Sequence, residues 1–160
     1  MKLKKILVAN RGEIALRIIK TIKEMGLEAV AMYVEIDKNS LYVQNSDHAF
    51  KIDNGYMDQD EIINKAKQFN VDAIHPGYGF LSENAEFCKK VKNEKIVWIG
   101  PDAETIELMG DKINSKNFCV KQNIPTLSKT SKLSDAKKIG YPILVKASAG
   151  GGGKGMRVVN

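Results

Sequence analysis

Residues 5–26 read KILVANRGEIALRIIKTIKEMG and decide the fold, because they hold the signals of a strand, a turn and a helix in succession. The run 5–9 is short and apolar, as buried strands are. Residues 10–12, Asn-Arg-Gly, predict a turn. The stretch therefore predicts the first strand–helix unit of an α/β protein. Apolar residues recur at helical spacing up to Gly26, a common helix end: Ile14, Ala15, Ile18, Ile19, Ile22 and Met25.

The alternation of strand and helix continues along the chain. Asp58, with Glu61 three residues later, is a capping box that begins one helix, and Ser82 is the predicted cap of another. A longer helical region over 102–122 is interrupted by Gly110. This order predicts a Rossmann-like parallel sheet with helices on both faces. The further strands are predicted over short apolar runs at 27–34, 48–52, 71–74 and 95–99.

The pattern changes near Ile124-Pro125, where a second domain is predicted to open. A short helix at 134–139 and a strand at 141–147 lead into a glycine run, and a further strand at 156–159 would complete a hairpin. We therefore divide the chain into a Rossmann-like domain over residues 1–112 and the beginning of a second domain over residues 113–160.

Composition is that of a globular protein, since 43% of the 160 residues are apolar and 28% are charged. The net charge of +6 comes mainly from scattered lysines, so we predict no nucleic-acid partner. No apolar stretch approaches the length of a membrane span, so no membrane partner is predicted either. Cys88 and Cys119 lack zinc-ligand spacing and are predicted to be buried small hydrophobes, which suits a reducing, cytoplasmic setting.

The glycine run lies within VKASAGGGGKGMR, residues 145–157. Glycine N–H groups can approach phosphate oxygens closely, and Lys146 and Lys154 add positive charge. The run is not a Walker A loop, which ends in G-K-[ST] before a helix, whereas Gly155-Met156 stand here. A phosphate cradle is the favoured interpretation, and a flexible tip or linker is the alternative.

A second glycine-containing loop, HPGYGFLS over residues 75–82, follows a predicted strand. Its G-x-G-x-x-S pattern resembles a dinucleotide fingerprint, but the third glycine is Ser82 and no acidic residue stands about twenty positions further on. The loop lies at the carboxyl end of a strand, where open α/β sheets place ligands. His75 is interpreted first as a structural histidine.

Charged residues occupy the outer face of the first helix at Arg17, Lys20 and Glu24. Glu13 can pair with Arg17, and Lys20 with Glu24, at four-residue spacing. A solvated face is the default interpretation, and a self-complementary dimer contact is the alternative. The sequence contains no Ser/His/Asp set of interpretable spacing and no Cys/His metal cluster, and we predict no metal site within it.

Several segments, in order along the whole chain, resemble the biotin carboxylases. The fold that this resemblance implies is a pre-ATP-grasp domain followed by the start of an ATP-grasp lid domain. The segments are ILVANRGEIALRI at 6–18, HPGYGFLSEN at 75–84, IGP at 99–101, LMGDK at 108–112, and GYP at 140–142 running into KAS at 146–148 and the glycine loop.

The resemblance also implies an activity and a set of site residues. Biotin carboxylases form carboxyphosphate from ATP and bicarbonate with Mg²⁺, and then carboxylate biotin held on a carrier protein. Carried over by motif, Lys112 and Lys146 are ATP-binding residues, and Tyr78 and Gly79 form a wall near the biotin and bicarbonate site. Gly151, Gly152 and Gly153 would form the lid loop over the phosphates, and Arg17, Lys20 and Glu24 the dimer interface.

The partners implied are a second copy of the chain, a biotin carboxyl carrier protein and a carboxyltransferase component. The chain departs from the family at Ala149, where glycine is usual, and at Lys154, where arginine is frequent. The family's magnesium-binding glutamates, bicarbonate-binding residues and catalytic arginine have no counterpart here, so we expect residues 1–160 alone to be inactive. The alternatives are a stand-alone dimerisation or interaction module and a dinucleotide-binding Rossmann domain.

Overall fold

The computed structural model describes residues 2–128, 130, 132–146 and 155–160. Two compact units divide the chain, the first over residues 1–106 and the second over residues 107–160.

The first unit is built on a five-stranded sheet. Its strands are β1 (Lys5–Val8), β2 (Glu28–Tyr33), β3 (His48–Lys51), β4 (Ala73–His75) and β5 (Val97–Trp98). They lie side by side in the order β3-β2-β1-β4-β5, and every neighbouring pair is parallel. Leu7 of β1 stands opposite Val30 of β2 and Ile74 of β4, so the first strand is the centre of the sheet. The predicted parallel sheet is confirmed.

Helices cover both faces of this sheet, as predicted. They are α1 (Gly12–Glu24), α2 (Leu41–Gln44), α3 (Gln59–Gln68), α4 (Ala85–Asn93) and α5 (Ala103–Gly110). The short α2 was not predicted, because its four residues are too few to show a helical period. Two 3₁₀ turns, Glu35–Asp37 and Phe80–Glu83, lie in loops that follow β2 and β4.

Alternate residues of the strands supply two separate cores. Ile6 and Val8 pack with α1 on one face, whereas Leu7 packs with α3 and α4 on the other. Cys88 of α4 belongs to the second core and is fully buried, as predicted. Burial of alternate side chains on opposite faces fixes the register of a strand, because a slip of one residue would exchange the faces. The central strand is therefore held firmly in place.

The helix starts are partly as predicted. Asp58 caps α3 by accepting a hydrogen bond from the Glu61 N–H at 2.9 Å. Glu61 does not complete the box, since its carboxylate accepts from the N–H groups of the 53–54 segment. Ser82 is the wrong cap for α4: it lies inside a 3₁₀ turn, and Asn84 accepts from the Phe87 N–H at 2.8 Å instead. Because of this 3₁₀ turn, the cap of α4 is Asn84 rather than Ser82.

After the end of α5, which extends into the second unit, the next helix is α6 (Lys112–Lys121). Asp111 separates this helix from α5 at the predicted break, and its carboxylate caps the new helix. Cys119 is only half-buried, contrary to the prediction, because α6 buries none of its residues. The short α7 (Ala136–Ile139) precedes the antiparallel hairpin of β6 (Ile143–Val145) and β7 (Arg157–Val159), which confirms the predicted hairpin.

In the described part of the chain no helix could cross a membrane. The longest of these helices, α1, has 13 residues, whereas a span needs about 20 apolar ones.

Candidate functional site

The candidate site lies where the strand order of the sheet reverses. From the central strands β1 and β4, the chain continues to opposite sides of the sheet, towards β2 and β5 respectively. The loops after these two strands, 9–11 and 76–79, therefore come together at one edge. The Ala9 N–H donates to the His75 carbonyl oxygen at 2.9 Å and extends the pairing into the loops. Open α/β sheets bind ligands at such a switch point.

Asn10 joins the two loops with a buried side chain that is 1% exposed. Its Nδ2 donates to the carbonyl oxygen of Pro76 at 2.7 Å and to that of Tyr78 at 2.8 Å. Its Oδ1 accepts from the Arg11 N–H at 2.9 Å. All three of these hydrogen bonds are made to backbone groups. The Asn10 side chain therefore links the two loops at the switch point.

The loop after β4 has a backbone that glycine suits. Gly77 and Gly79 both have positive φ, at 67° and 61°, a region that side chains rarely adopt. A Cβ at Gly77 would also lie 2.7 Å from Nδ2 of Asn10, well inside contact distance. The glycines predicted from the sequence are therefore required by the path of the loop and by the close approach of Asn10. The path of the loop and the contact with Asn10 explain both glycines without a bound dinucleotide. The helix that follows the loop, α4, begins only at Ala85.

His75 is confirmed as a structural histidine. Its Nδ1 accepts a hydrogen bond from the Gly77 N–H at 3.0 Å, and burial lowers the pKa of the imidazole. A ring nitrogen that accepts from a backbone N–H carries no proton, and a lowered pKa keeps the ring neutral near pH 7. The side chain therefore shapes the loop rather than supplying charge.

Tyr78 extends from this loop with 59% of its surface exposed. Its hydroxyl donates to Oε1 of Glu13 in the first turn of α1. This hydrogen bond lowers the pKa of Glu13 and raises that of Tyr78. The predicted partner of Glu13 was Arg17, but the tertiary fold supplies a hydroxyl from a segment 65 residues away. The wall residue predicted by resemblance is thereby tied to the first helix.

A second polar group beside the site was not predicted. Nε and Nη2 of Arg11 donate to the two carboxylate oxygens of Asp37, at 2.7 and 2.5 Å. The Tyr56 hydroxyl donates to the same carboxylate at 2.5 Å, and the Tyr42 hydroxyl lies 3.0 Å from that of Tyr56. Arg11 holds the pKa of Asp37 below its ordinary value. The guanidinium lies 5.8 Å from the centre of the Tyr56 ring, within cation–π range.

No sequence signal pointed to this network, because Asp37 stands in the polar stretch EIDKNS, which is typical of an exposed loop. In the structure Asp37 is only 5% exposed. The Tyr56 ring also packs against Phe80, with 5.4 Å between ring centres. The network therefore connects Arg11, in the loop after β1, with Phe80, which follows the loop after β4.

The outer face of α1 is exposed at Arg17, Lys20 and Glu24. Nζ of Lys20 lies 3.9 Å from Oε1 of Glu24, a spacing-four pair of the predicted kind. These three residues lie on the side of the helix away from the core that α1 shares with the sheet. Their side chains are solvated in the single chain, and their role stays a prediction.

The predicted ATP-binding residues belong to the second unit. Lys112 is the first residue of α6, directly after its capping aspartate. Lys146 follows β6 and is exposed at the start of the connection between the hairpin strands. Gly151, Gly152 and Gly153 lie outside the described residues. Within the described ranges, no cluster of three or more His, Cys, Asp or Glu side chains is placed to hold a metal ion.

Comparison with known proteins accounts for both units of the chain. The family model described as biotin carboxylase, N-terminal domain, matches residues 2–106. The model described as carbamoyl-phosphate synthase L chain, ATP binding domain, matches residues 102–160. The chain is 46% identical to the biotin carboxylase of Nostoc sp. over 99% of this chain and 38% of that protein. It is 46% identical to a mitochondrial methylcrotonoyl-CoA carboxylase subunit alpha of Dictyostelium discoideum over 97% of this chain and 24% of that protein.

Solved structures give the same result. The biotin carboxylase domain dimer of the Hydrogenobacter thermophilus 2-oxoglutarate carboxylase, in complex with MgADP, ADP and bicarbonate, matches with a TM-score of 0.92 at 42% identity. A Campylobacter jejuni biotin carboxylase in complex with β,γ-ATP matches with a TM-score of 0.92 at 43% identity. Each match covers 99% of this chain and 38% of the other. The chain thus spans well under half the length of the proteins that it matches.

Proposed function

This chain belongs to the biotin carboxylase N-terminal domain family, and from that premise we propose that it forms the front part of an ATP-dependent ligase that carboxylates biotin on a carrier protein. The observation that carries the proposal is the match of residues 2–106 to the family model, together with 46% identity to a biotin carboxylase over 99% of the chain. The proposed domains are a Rossmann-like domain over residues 1–112, which contains the whole first unit of residues 1–106, and the beginning of the ATP-grasp domain over residues 113–160.

Lys112, Lys146 and Gly151–Gly153 are the proposed nucleotide-binding residues. Bound MgATP would supply the phosphoryl group that activates bicarbonate. Lys146 fits a phosphate ligand, because its exposed ammonium follows a strand end directly and can neutralise charge without breaking a buried contact. Backbone N–H groups of the glycine loop would add hydrogen bonds to the same oxygens.

Tyr78 and Gly79 are the proposed wall of the biotin and bicarbonate site. Their place at the switch point supports this role, because Asn10 in the neighbouring loop holds the carbonyl of Tyr78 by a hydrogen bond. The aromatic ring of Tyr78 offers an apolar surface, and its hydroxyl is already engaged by Glu13. The ring is thereby held in one orientation, which limits the orientations that a neighbouring substrate can adopt.

Arg17, Lys20 and Glu24 are proposed to form part of a homodimer interface. Both charge signs occur on the one exposed face, as a two-fold contact requires. The Hydrogenobacter thermophilus relative is a dimer, which supports the proposal. The carrier protein and the carboxyltransferase are proposed partners of the whole enzyme, for which we propose a cytoplasmic location.

Cleavage of ATP by the purified protein that contains this chain tests the function. We expect phosphate release to require Mg²⁺, bicarbonate and free biotin together. We expect residues 1–160 alone to give no turnover, because they correspond to 38% of the Nostoc enzyme. ATP cleavage that is indifferent to biotin and bicarbonate would overturn the proposal. Turnover by residues 1–160 would overturn the expectation for the short chain.

A further inference from the structure

The side chain of Asn10 joins the loop after β1 to the loop after β4. We propose that Asn10 is a positioning residue for the wall formed by Tyr78 and Gly79, acting on substrate only through that loop. The inference rests on the function proposed above for the wall, but its geometric basis lies entirely within the first unit.

The amide of Asn10 has the donors and the acceptor that its three backbone contacts require. An asparagine amide carries two N–H donors, and these face two carbonyl oxygens that are two residues apart, at Pro76 and Tyr78. The remaining oxygen faces the only N–H in the set, that of Arg11. Aspartate has the same shape but lacks both donors, and alanine lacks all three groups. Asparagine is therefore required by chemistry as well as by size.

Gly77 stands between the two carbonyls and packs against the amide. Its missing side chain leaves the space that Asn10 fills, since a Cβ would lie 2.7 Å from Nδ2 and 2.9 Å from Cγ. Its N–H is held by His75. The backbone from residue 75 to residue 78 is thus fixed at every residue by a hydrogen bond or a close contact.

Tyr78 depends on this fixation because it is mainly exposed. Packing contributes little to the position of a side chain that is 59% exposed. The two hydrogen bonds that hold it are the one from Asn10 to its carbonyl and the one from its hydroxyl to Glu13. Loss of the first would leave the ring attached only at its far end, so the wall would lose its orientation.

Asn10→Asp and Asn10→Ala test the proposal in the whole protein that contains this chain. We expect the KM for free biotin to rise about 10-fold in both variants at pH 8, since a buried carbonyl left without its donor is costly. The KM for ATP should stay within about twofold of wild type. Unchanged biotin kinetics in both variants would overturn the proposal.

The pH profile separates positioning from a general loss of stability. A buried carboxyl that faces two carbonyl oxygens has a raised pKa, and its protonated form can donate one hydrogen bond. The biotin defect of Asn10→Asp should therefore shrink as the pH falls, while that of Asn10→Ala should not. Arg11, Glu13 and His75 are further titratable groups around the loop. They are present in both variants, so the pH profile of Asn10→Ala serves as the reference that contains their effect. Parallel profiles would contradict the proposal.

Amide hydrogen exchange gives a readout that does not need activity. In Asn10→Ala, the N–H groups of Arg11 and Gly77 should exchange at least about 10-fold faster, while amides of β1 stay within about twofold. Gly77→Ala should reproduce the biotin defect. Gly26→Ala is its control, because Gly26 has φ of 73° with nothing within 4 Å of an added Cβ.

The outcomes distinguish the two proposals. If the wild-type protein shows no biotin-dependent ATP cleavage, the proposed function fails, and the exchange rates alone decide whether Asn10 fixes the loop. If activity is present but the KM for biotin is unchanged in both Asn10 variants, the positioning role is refuted while the function stands.

Discussion

The two units of the chain hold their proposed site residues in different ways. In the first unit, which has two apolar cores, Asn10 and Asp37 are buried polar groups. In the described residues of the second unit, Ala136 is the one buried apolar side chain, and Lys146 is exposed. Buried polar side chains thus hold the loops at the switch point, whereas Lys146 follows a hairpin strand that is held by local strand pairing. The effects of substitutions on the free energy of unfolding should therefore differ between the two units.

Truncation of a core side chain gives the largest expected contrast. Leu7→Ala removes a fully buried side chain from the central strand and should lower the free energy of unfolding by about 3 kcal/mol. Leu144→Ala in the hairpin removes one that is 47% exposed and should cost under about 1 kcal/mol. Urea titration followed by circular dichroism measures both. Equal losses would show that the two units do not differ in packing.

The ion pair of Arg11 and Asp37 offers the next contrast, since its carboxylate is buried although 45% of the Arg11 side chain is exposed. Asp37→Asn should lower the free energy of unfolding by about 1 to 2 kcal/mol at pH 7, because it removes the charge that accepts two hydrogen bonds from Arg11. The control is Glu24→Gln, which breaks an exposed pair and should cost about 0.5 kcal/mol or less.

The effect of Asp37 should depend on pH. The pKa of Asp37 is lowered in the folded state, so its stabilisation is complete above the unfolded pKa of about 3.9 and is lost as the pH falls through the folded value. The difference between wild type and Asp37→Asn should therefore shrink below about pH 4. A difference that stays constant down to pH 2 would show that the charge of Asp37 is not what stabilises the fold.

Lys146→Ala should affect binding without affecting stability. We expect the KM for ATP to rise about 10-fold in the protein that contains this chain, since an ammonium in contact with phosphate is worth about 1.5 kcal/mol or more. The free energy of unfolding should change by under about 0.5 kcal/mol, because the side chain is exposed. If the ATP Michaelis constant and the turnover are both unchanged, the assignment of Lys146 is wrong.

The smallest change in stability is expected at the outer face of α1. Glu24→Lys places like charges where a two-fold contact needs both signs, so it should shift the protein from dimer towards monomer by size-exclusion chromatography. The free energy of unfolding of the single chain should change by about 0.5 kcal/mol at most. Glu104→Lys is the control, an exposed residue of α5. A strictly monomeric wild-type protein would argue against the interface.

The fold could be predicted from the sequence because its signals are local. The period of the apolar residues and the turns between them defined every strand of the sheet. The predictions were wrong where a short element leaves no periodic signal in the sequence. Ser82, the predicted cap, lies in such an element, a 3₁₀ turn. Cys119 was misjudged because a helical period shows which residues share a face, not whether anything covers that face.

For the candidate site, residue type and pattern pointed to the two glycine-containing loops and to Lys146, whereas the predicted roles of Tyr78 and Lys112 came from the resemblance to the biotin carboxylases. The sequence also determined the order of strands and helices that places two loops at one sheet edge. Only the tertiary structure decided that Asn10 reaches Pro76 and Tyr78, that Glu13 meets a hydroxyl rather than Arg17, and that Asp37 is buried. These contacts join residues 19 to 68 positions apart. Local patterns encode periodicity and turns, whereas the partner of a polar side chain depends on which distant segment the sheet brings beside it.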